Sequence, residues 1–243
     1  LDDLKEEFEK SKGNSKKLNE LHKRITNLKI FDPACGSGNF LIIAYKELRK
    51  LEMDIFKSGQ MLNMPNIKLN QFYGIELDDF AHEVAILSLW LAEHQMNQEF
   101  KKLFGNCTPT LPLKDSGNIV CGNATRLDWE EVCPKNEGDE IYILGNPPYL
   151  GARLQKKEQK EDMNIVFDGI DGFNNLDYIS CWFYKATKYL QNYSKNQFAF
   201  VSTNSITQGT QVSLLWSHLL NNDIEISFAH QSFKWTNNAK NNA

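Results

Sequence analysis

The chain lacks the features that mark a membrane-spanning, exported or zinc-binding protein. Its 243 residues contain no apolar run close to the roughly 20 residues that cross a bilayer. No charged and then apolar segment stands at its start, as an export signal would require. The five cysteines include no C-x-x-C pair, and their odd number suits reduced thiols. These absences favour a cytoplasmic protein that has no contact with a membrane.

The chain is also short of positive charge. It has 27 Lys and Arg against 31 Asp and Glu, and its formal net charge is −4. A protein that binds nucleic acid by itself is usually basic over the bound face, because phosphate neutralisation dominates the affinity. Basic stretches occur at 10–24, which contains one acidic residue and follows an acidic run, and at 153–160. Most of any contacts with nucleic acid are therefore expected to lie elsewhere in a longer protein.

What the chain does have is the composition of one α/β domain. Apolar residues make up 41% and aromatic residues 12% of it, which is enough for a sizeable core. Strand and helix patterns alternate, which is typical of a mostly parallel sheet with helices on both faces. The predicted strands are 28–31, 72–77, 119–121, 141–144, 198–202 and 224–229. The predicted helices are 40–50, 80–96, 176–190 and 212–220, with loops at 105–118 and 150–175 above the carboxyl edge of the sheet.

A glycine-rich turn follows the first predicted strand. Leu28-Lys-Ile-Phe leads into Asp32-Pro-Ala-Cys-Gly-Ser-Gly, and a helical pattern begins directly afterwards. Such a unit places a nucleotide-like ligand at the carboxyl end of the strand. The third glycine of the dinucleotide fingerprint is missing, and Asp32 would repel a pyrophosphate. The pattern indicates a ligand that carries an amino group and a ribose.

The tetrapeptide Asn146-Pro147-Pro148-Tyr149 follows the strand predicted at 141–144. Two consecutive prolines fix two φ angles and push the residue before each of them out of the helical region. This stiff turn holds the Asn146 amide and the neighbouring carbonyl groups in fixed positions, and these groups can accept hydrogen bonds from an NH2 group. Tyr149 adds a flat face for stacking on an aromatic ring. Taken alone, the tetrapeptide also suits a stiffened connecting loop.

Together, the glycine motif and the later Asn-Pro-Pro-Tyr resemble the gamma class of S-adenosylmethionine-dependent amino-methyltransferases, which act on adenine in DNA. Further stretches resemble the methyltransferase part of single-chain type II restriction–modification enzymes. They are Phe72-Tyr-Gly-Ile-Glu-Leu, Cys121-Gly-Asn-Ala, Phe200-Val-Ser-Thr-Asn-Ser-Ile-Thr-Gln-Gly and His230-Gln-Ser-Phe-Lys-Trp. The resemblance covers residues 28–236 and implies a Rossmann-like class I methyltransferase fold.

The resemblance implies S-adenosylmethionine as the cofactor. The residues expected to bind it are Asp32, Ala34, Gly36, Gly38, Glu76, Leu77, Asn123 and Asn146. Glu76 ends the second predicted strand, where a carboxylate can accept both ribose hydroxyls, and Leu77 offers an apolar wall to the adenine. The wider family often carries Asp where Asn123 stands; an amide oxygen can still accept from the adenine amino group.

The resemblance also implies a catalytic motif, formed by Asn146, Pro147, Pro148 and Tyr149, that acts on double-stranded DNA. The Asn146 side chain and the Pro147 carbonyl are expected to hold both amino hydrogens of the target adenine. The base cannot be reached inside a duplex, so it must be flipped out and stacked on aromatic side chains. Tyr149 and Phe233 are the expected stacking residues, with Trp235 as a competitor for the second face. The chemistry requires no metal.

We expect a helical lead-in at 1–27 and a methyltransferase domain at 28–243, truncated at both ends and belonging to a longer protein. Residues 1–27 show no match to the cofactor-contacting segment that the family usually has before the glycine motif. A target-recognition domain, with or without a nuclease domain, is expected elsewhere in the full-length chain. Two alternatives stay open: methylation of another amino nitrogen, in cytosine N4 or a protein glutamine, and a non-catalytic cofactor-binding module.

Overall fold

The computed structural model describes residues 1–59, 64–105, 117–191, 195–220 and 224–233. Its strands are β1 (Lys29–Asp32), β2 (Phe72–Glu76), β3 (Asn118–Cys121), β4 (Ile141–Gly145) and β5 (Gln197–Phe200). They form one sheet in the order β3-β2-β1-β4-β5, and every pairing is parallel. The strand order reverses between β1 and β4, which is where open α/β sheets bind their ligands.

Helices cover both faces of this sheet. They are α1 (Asp2–Ser11), α2 (Ser15–Asn27), α3 (Asn39–Ser58), α4 (Asp79–Phe104), α5 (Trp129–Val132), α6 (Lys157–Val166), α7 (Ser180–Leu190) and α8 (Ser217–Leu220). Residues of α1–α4 form one core with Ile30 of β1, whereas residues of α5–α8 form a second core with Phe31. Successive residues of β1 thus point to opposite faces, as a strand buried on both sides requires. Among the described residues no helix is long and apolar enough to cross a membrane.

Local sequence explains where the longer helices begin and end. Asn14 precedes α2 and its side-chain oxygen accepts from the backbone N–H groups of Lys16 and Lys17. Asp78 caps α4 in the same way, and α4 ends at Phe104, before Gly105, whose φ of 81° lies in the left-handed region. Because no glycine or proline interrupts it earlier, α4 runs well past the predicted end at residue 96.

Three of the predicted elements are wrong. The loop predicted at 150–175 contains α6, whose charged sequence buries only Asp162 and Met163 and so shows no apolar period. The helix predicted from residue 176 begins at Ser180. Residues 224–233 form no strand, and Ile226 and Phe228 remain more than half exposed. The predicted helix 212–220 is a π-helical turn followed by α8, and most of the predicted loop 105–118 lies outside the described residues.

Candidate active site

The glycine turn ties the carboxyl ends of β1 and β2 together. The backbone N–H of Cys35 donates to the Ile75 carbonyl at 3.0 Å, and the N–H of Gly38 donates to the Cys35 carbonyl at 2.8 Å. Gly38 has a φ of 84°, and a Cβ added there would lie 3.3 Å from the Cβ of Ala85. Glycine is needed at this position for its backbone angle and for space, and the turn brings the start of α3 to the ligand edge of the sheet.

Asp32 ends β1 as a fully buried carboxylate. Its Oδ1 accepts from the backbone N–H of Ala34 at 3.0 Å, whereas Oδ2 has no hydrogen-bond partner among the described residues. Burial raises the pKa of Asp32 to about 7, and the charge of Glu76 adds to the increase. A buried acceptor without a donor is costly. The carboxylate is therefore suited to a ligand that brings N–H donors, and best to one with a positive charge.

Glu76 ends β2 and is held rigidly by backbone groups on either side. Its Oε2 accepts from the N–H of Gly36 at 2.8 Å, and its Oε1 accepts from the N–H of Asp78 at 2.9 Å. Each oxygen keeps further acceptor capacity, so the carboxylate can still take up two hydroxyl groups. Beside it, Leu77 and Phe80 expose 69% and 79% of their surface. Both expose apolar surface that suits a ring, and of the two only Leu77 is predicted for this role from the sequence.

Asn123 follows β3 and has its side chain engaged within the protein. Its Oδ1 accepts from the Thr125 N–H at 3.0 Å and from the Thr125 hydroxyl at 2.6 Å, and its Nδ2 donates to Asp162 at 3.1 Å. Burial opposes ionisation of Asp162, but hydrogen bonds from Tyr178, Arg126 and Asn123 outweigh it and lower its pKa. For Asn123 Oδ1 to accept from a ligand amino group, as the resemblance implies, one of its two hydrogen bonds from Thr125 would have to break. That role of Asn123 stays a prediction.

The end of β4 presses against Asp32. A Cβ added to Gly145 would lie 2.6 Å from Asp32 Oδ1, so the last residue of this strand has no room for a side chain. Asn146 comes next, and its Oδ1 is buried without a hydrogen-bond partner in the described parts of the chain. The point where the strand order reverses therefore carries two buried oxygens that lack donors, one from Asp32 and one from Asn146.

The rest of the tetrapeptide becomes more exposed along the chain. Pro147 is buried, Pro148 is exposed, and Tyr149 exposes 48% of its surface. An exposed ring beside buried acceptors is the arrangement needed for holding and stacking one planar group. Phe233 is 64% exposed and belongs to the segment 224–233, which has no regular secondary structure. Its stacking role stays a prediction, and Trp235 lies outside the described residues.

Four exposed cations follow the tetrapeptide closely. This basic segment consists of Arg153, Lys156, Lys157 and Lys160, at and before the start of α6. Lys157 lies 3.8 Å from Glu161, which is a long ion-pair distance. The segment stands out against the net negative charge of the chain, and its position next to Tyr149 suits a ligand with a phosphate backbone.

Two other features lie apart from these groups. Asp79, His82 and Glu83, at the start of α4, form the one trio in the described residues whose ligand atoms could meet at a metal ion. A cavity of about 620 Å³ lies at the amino ends of β4 and β5, the opposite edge of the sheet, and is lined by Arg24, Glu140 and Tyr142 among others. Arg24 is already bound to Glu140 and Tyr142, so the cavity offers no comparable set of unpaired acceptors.

Acidic groups at the ends of β1 and β2, placed beside the switch in strand order, are typical of the class of doubly wound α/β domains with a ligand site at the carboxyl edge of the sheet. The family described as "MmeI, DNA-methyltransferase domain" has a model that matches residues 8–243, and the chain belongs to this family. The predicted resemblance to the methyltransferases of restriction–modification enzymes is thereby confirmed, as is the predicted α/β fold with a parallel sheet.

Individual relatives agree with the family. The chain is 53% identical to a protein of Bacillus subtilis (strain 168) named DNA methyltransferase A, over all of this chain and 28% of that protein. It superimposes with a TM-score of 0.91 on the Type IIL restriction-modification enzyme MmeI, solved in complex with DNA, at 43% identity over 99% of this chain and 33% of that one. A putative type II restriction enzyme and methyltransferase of Methanocaldococcus jannaschii is 39% identical over 51% of this chain and 11% of its own length. The chain thus spans at most 33% of the length of these relatives.

Proposed function

We propose that this domain transfers a methyl group from S-adenosylmethionine to the exocyclic N6 of a flipped-out adenine in double-stranded DNA. It would do so as the modification part of a restriction–modification system in the cytoplasm. The observation that carries the proposal is the pair of buried oxygens without donors, Asp32 Oδ2 and Asn146 Oδ1, on neighbouring strand ends. One suits the amino group of a cofactor and the other suits the amino group of a base.

The residues of the glycine turn fit the proposed cofactor. Asp32 would accept from the ammonium group of its methionine part, since a positive charge satisfies the buried carboxylate better than a neutral donor does. Glu76 would accept from the ribose hydroxyls, and Leu77 and Phe80 would flank the adenine. When bound, the cofactor supplies a methyl group on a sulfonium, which is a good leaving group in a direct displacement.

The chemistry then needs alignment more than acid or base catalysis. An adenine amino nitrogen is a weak nucleophile because its lone pair is delocalised into the ring. Asn146 Oδ1 and the Pro147 carbonyl would accept one hydrogen each, which favours a pyramidal and more nucleophilic nitrogen. The nitrogen–carbon bond would form as the carbon–sulfur bond breaks, with that bond's electron pair left on sulfur and one proton of the amino group passing to water. The residues named here would contribute chiefly by holding the three atoms in line.

The DNA side of the proposal rests on Tyr149 and the basic segment. Tyr149 would stack on the flipped base, with Phe233 proposed for the other face, and the basic segment would contact phosphates near the flipped nucleotide. Phosphate contacts position a protein on DNA without reading its sequence. The proposal therefore places sequence recognition, and nuclease activity where it occurs, in parts of the full-length protein outside these residues.

The test is methyl transfer by the full-length protein with Asn146 replaced by Ala. Transfer of a radiolabelled methyl group to DNA should be lost, while the dissociation constant for S-adenosylmethionine measured by calorimetry should stay close to that of the wild type. The reason is that the Asn146 side chain is assigned to the base in this proposal, although Asn146 is also among the residues expected to bind the cofactor. Asn19→Ala, on the exposed face of α2, is the matched control and should leave both properties unchanged.

The product identifies the substrate. Mass spectrometry of the labelled nucleosides should show N6-methyladenine; N4-methylcytosine or labelled protein would support one of the alternative amino substrates instead. Undiminished turnover in Asn146→Ala would remove Asn146 from the mechanism. Binding of NAD in preference to S-adenosylmethionine would contradict the cofactor assignment.

A further inference from the structure

The loop formed by Asn146–Tyr149 is held at its downstream end through the backbone of Leu150. The N–H of Leu150 donates to Asp177 Oδ1 at 2.8 Å. Its carbonyl accepts from the N–H of Tyr178 at 3.0 Å and from the side chain of Gln155 at 3.1 Å. Both polar groups of the residue next to Tyr149 are therefore bound to fixed partners. The peptide after Tyr149 cannot rotate without breaking these bonds.

Asp177 is itself fixed from several directions. It is 5% exposed, its Oδ1 also accepts from the N–H of Ile179 at 3.3 Å, and its backbone N–H donates to Gln211 Oε1 at 3.1 Å. The hydroxyl of Ser205 lies 3.4 Å from Oδ2. Helix α7 begins only at Ser180, after a residue that makes no side-chain cap. Asp177 thus caps only the turn before α7, through the 3.3 Å bond from Ile179, and its shorter 2.8 Å bond from the Leu150 N–H is not explained by capping.

We propose that Asp177 is a positioning residue that sets the place of the Tyr149 ring for stacking on the flipped base. It acts through the Leu150 N–H and not on the reacting atoms. The inference rests on the proposed function, since the position of an exposed ring matters only when a base stacks on it. Methyl transfer depends on alignment, and a displacement of about 1 Å can lower a rate by about 10²-fold.

Two substitutions at Asp177 separate this role from a general structural one. Asp177→Ala leaves the Leu150 N–H without its acceptor. Asp177→Asn keeps an oxygen at Oδ1 and should rescue the loop, because the bond needs an acceptor rather than a charge. Tyr178→Phe is the matched control in the neighbouring residue. It removes a buried hydroxyl that donates to Asp162 at 2.6 Å, but it keeps the backbone bond to Leu150.

The experiment uses the full-length protein and two DNA duplexes. One carries 2-aminopurine at the target position and reports base stacking; the other carries adenine there and gives kcat, because 2-aminopurine has no amino group at C6 to methylate. The fluorescence of this base increases on flipping and is quenched when it stacks on an aromatic ring. Asp177→Ala should lose the quenching and lower kcat by about 10²-fold, with an affinity for S-adenosylmethionine within about twofold of the wild type. Asp177→Asn and Tyr178→Phe should retain the quenching.

Several results would overturn the inference: normal quenching and kcat in Asp177→Ala, equal impairment in Asp177→Asn, or the same loss of quenching in Tyr178→Phe. Should Asp177→Ala fail to fold, Asp177→Ser keeps a polar group at this buried position, but its side chain is one atom shorter and should weaken the bond from the Leu150 N–H and reduce the quenching; unchanged quenching there would also refute the inference. Absence of methyl transfer to DNA by the wild type would contradict the proposed function, which keeps the two failures distinct.

Discussion

Replacing Asp32 with Asn should stabilise the fold at alkaline pH while it weakens cofactor binding. Burial, with a contribution from the charge of Glu76, raises the pKa of Asp32 from 3.8 to about 7. The folded chain therefore holds this proton more tightly than the unfolded chain does. The stability associated with Asp32 is fully present below pH 3.8 and is lost as the pH rises through 7.

The size of the effect follows from that shift. About 3 pKa units at about 1.4 kcal/mol each give a cost of ~4 kcal/mol at pH 8. In Asp32→Asn the amide oxygen can still accept from the N–H of Ala34. The new NH2 group, however, is buried in place of the unpaired Oδ2, at a cost of about 1–3 kcal/mol. The net gain in the free energy of unfolding at pH 8 is then about 1–3 kcal/mol.

Chemical denaturation of residues 1–243 at two pH values measures this gain. The advantage of Asp32→Asn at pH 8 should decrease by about 2–3 kcal/mol at pH 5, because the wild-type carboxyl group is protonated in the fold there. Calorimetry should show weaker binding of S-adenosylmethionine by the variant. Asp168→Asn, at an exposed position, is the control. A variant that is destabilised at pH 8, or a difference that does not change with pH, would refute the reasoning.

The remaining predictions concern the same edge of the sheet. Gly145→Ala should lower the free energy of unfolding by about 1–3 kcal/mol, measured by thermal unfolding. Gly151→Ala is the control, because a Cβ added there meets no atom within 4 Å. Equal stability of the two variants would contradict the close packing at Gly145. Exchanging the lysines of the basic segment for Gln should reduce the slope of log affinity for DNA against log salt by about 0.9 for each phosphate that the variant no longer neutralises. The exposed lysines of α2 are the control, and the same change there would argue against a specific surface. Affinity for S-adenosylmethionine should increase from pH 6 to pH 8 as Asp32, with its pKa of about 7, ionises; a flat profile would oppose contact with the ammonium group.

The parts of the site that local sequence encodes could be predicted from the sequence. The turn from Asp32 to Gly38 and the stiff loop from Asn146 to Tyr149 get their shapes from glycine and proline, which act on their own backbone. Each follows a short apolar strand, so the topology of a parallel sheet brings them to one edge. The structure places both motifs at that edge, next to the point where the strand order reverses.

Features that depend on distant partners could not be predicted. Asp177 accepts a hydrogen bond from the N–H of Leu150, 27 positions earlier in the chain, and nothing near Asp177 in the sequence indicates that pairing. Helix α6 buries only Asp162 and Met163, so its periodicity is too weak to detect. Conversely, 224–229 alternates apolar and polar residues, but a strand also needs a neighbour, and the described residues provide none for it.

The contact between Gly145 and Asp32 also has an evolutionary consequence. The carboxylate of Asp32 occupies the space where a side chain at position 145 would begin: its Oδ1 would lie 2.6 Å from a Cβ added to Gly145. A lineage that keeps the carboxylate is thus expected to favour glycine at position 145, since even an alanine Cβ would have to displace Asp32. A larger residue there should be better tolerated once position 32 carries a smaller side chain. Drift at the end of β4 is therefore limited by a side chain on another strand.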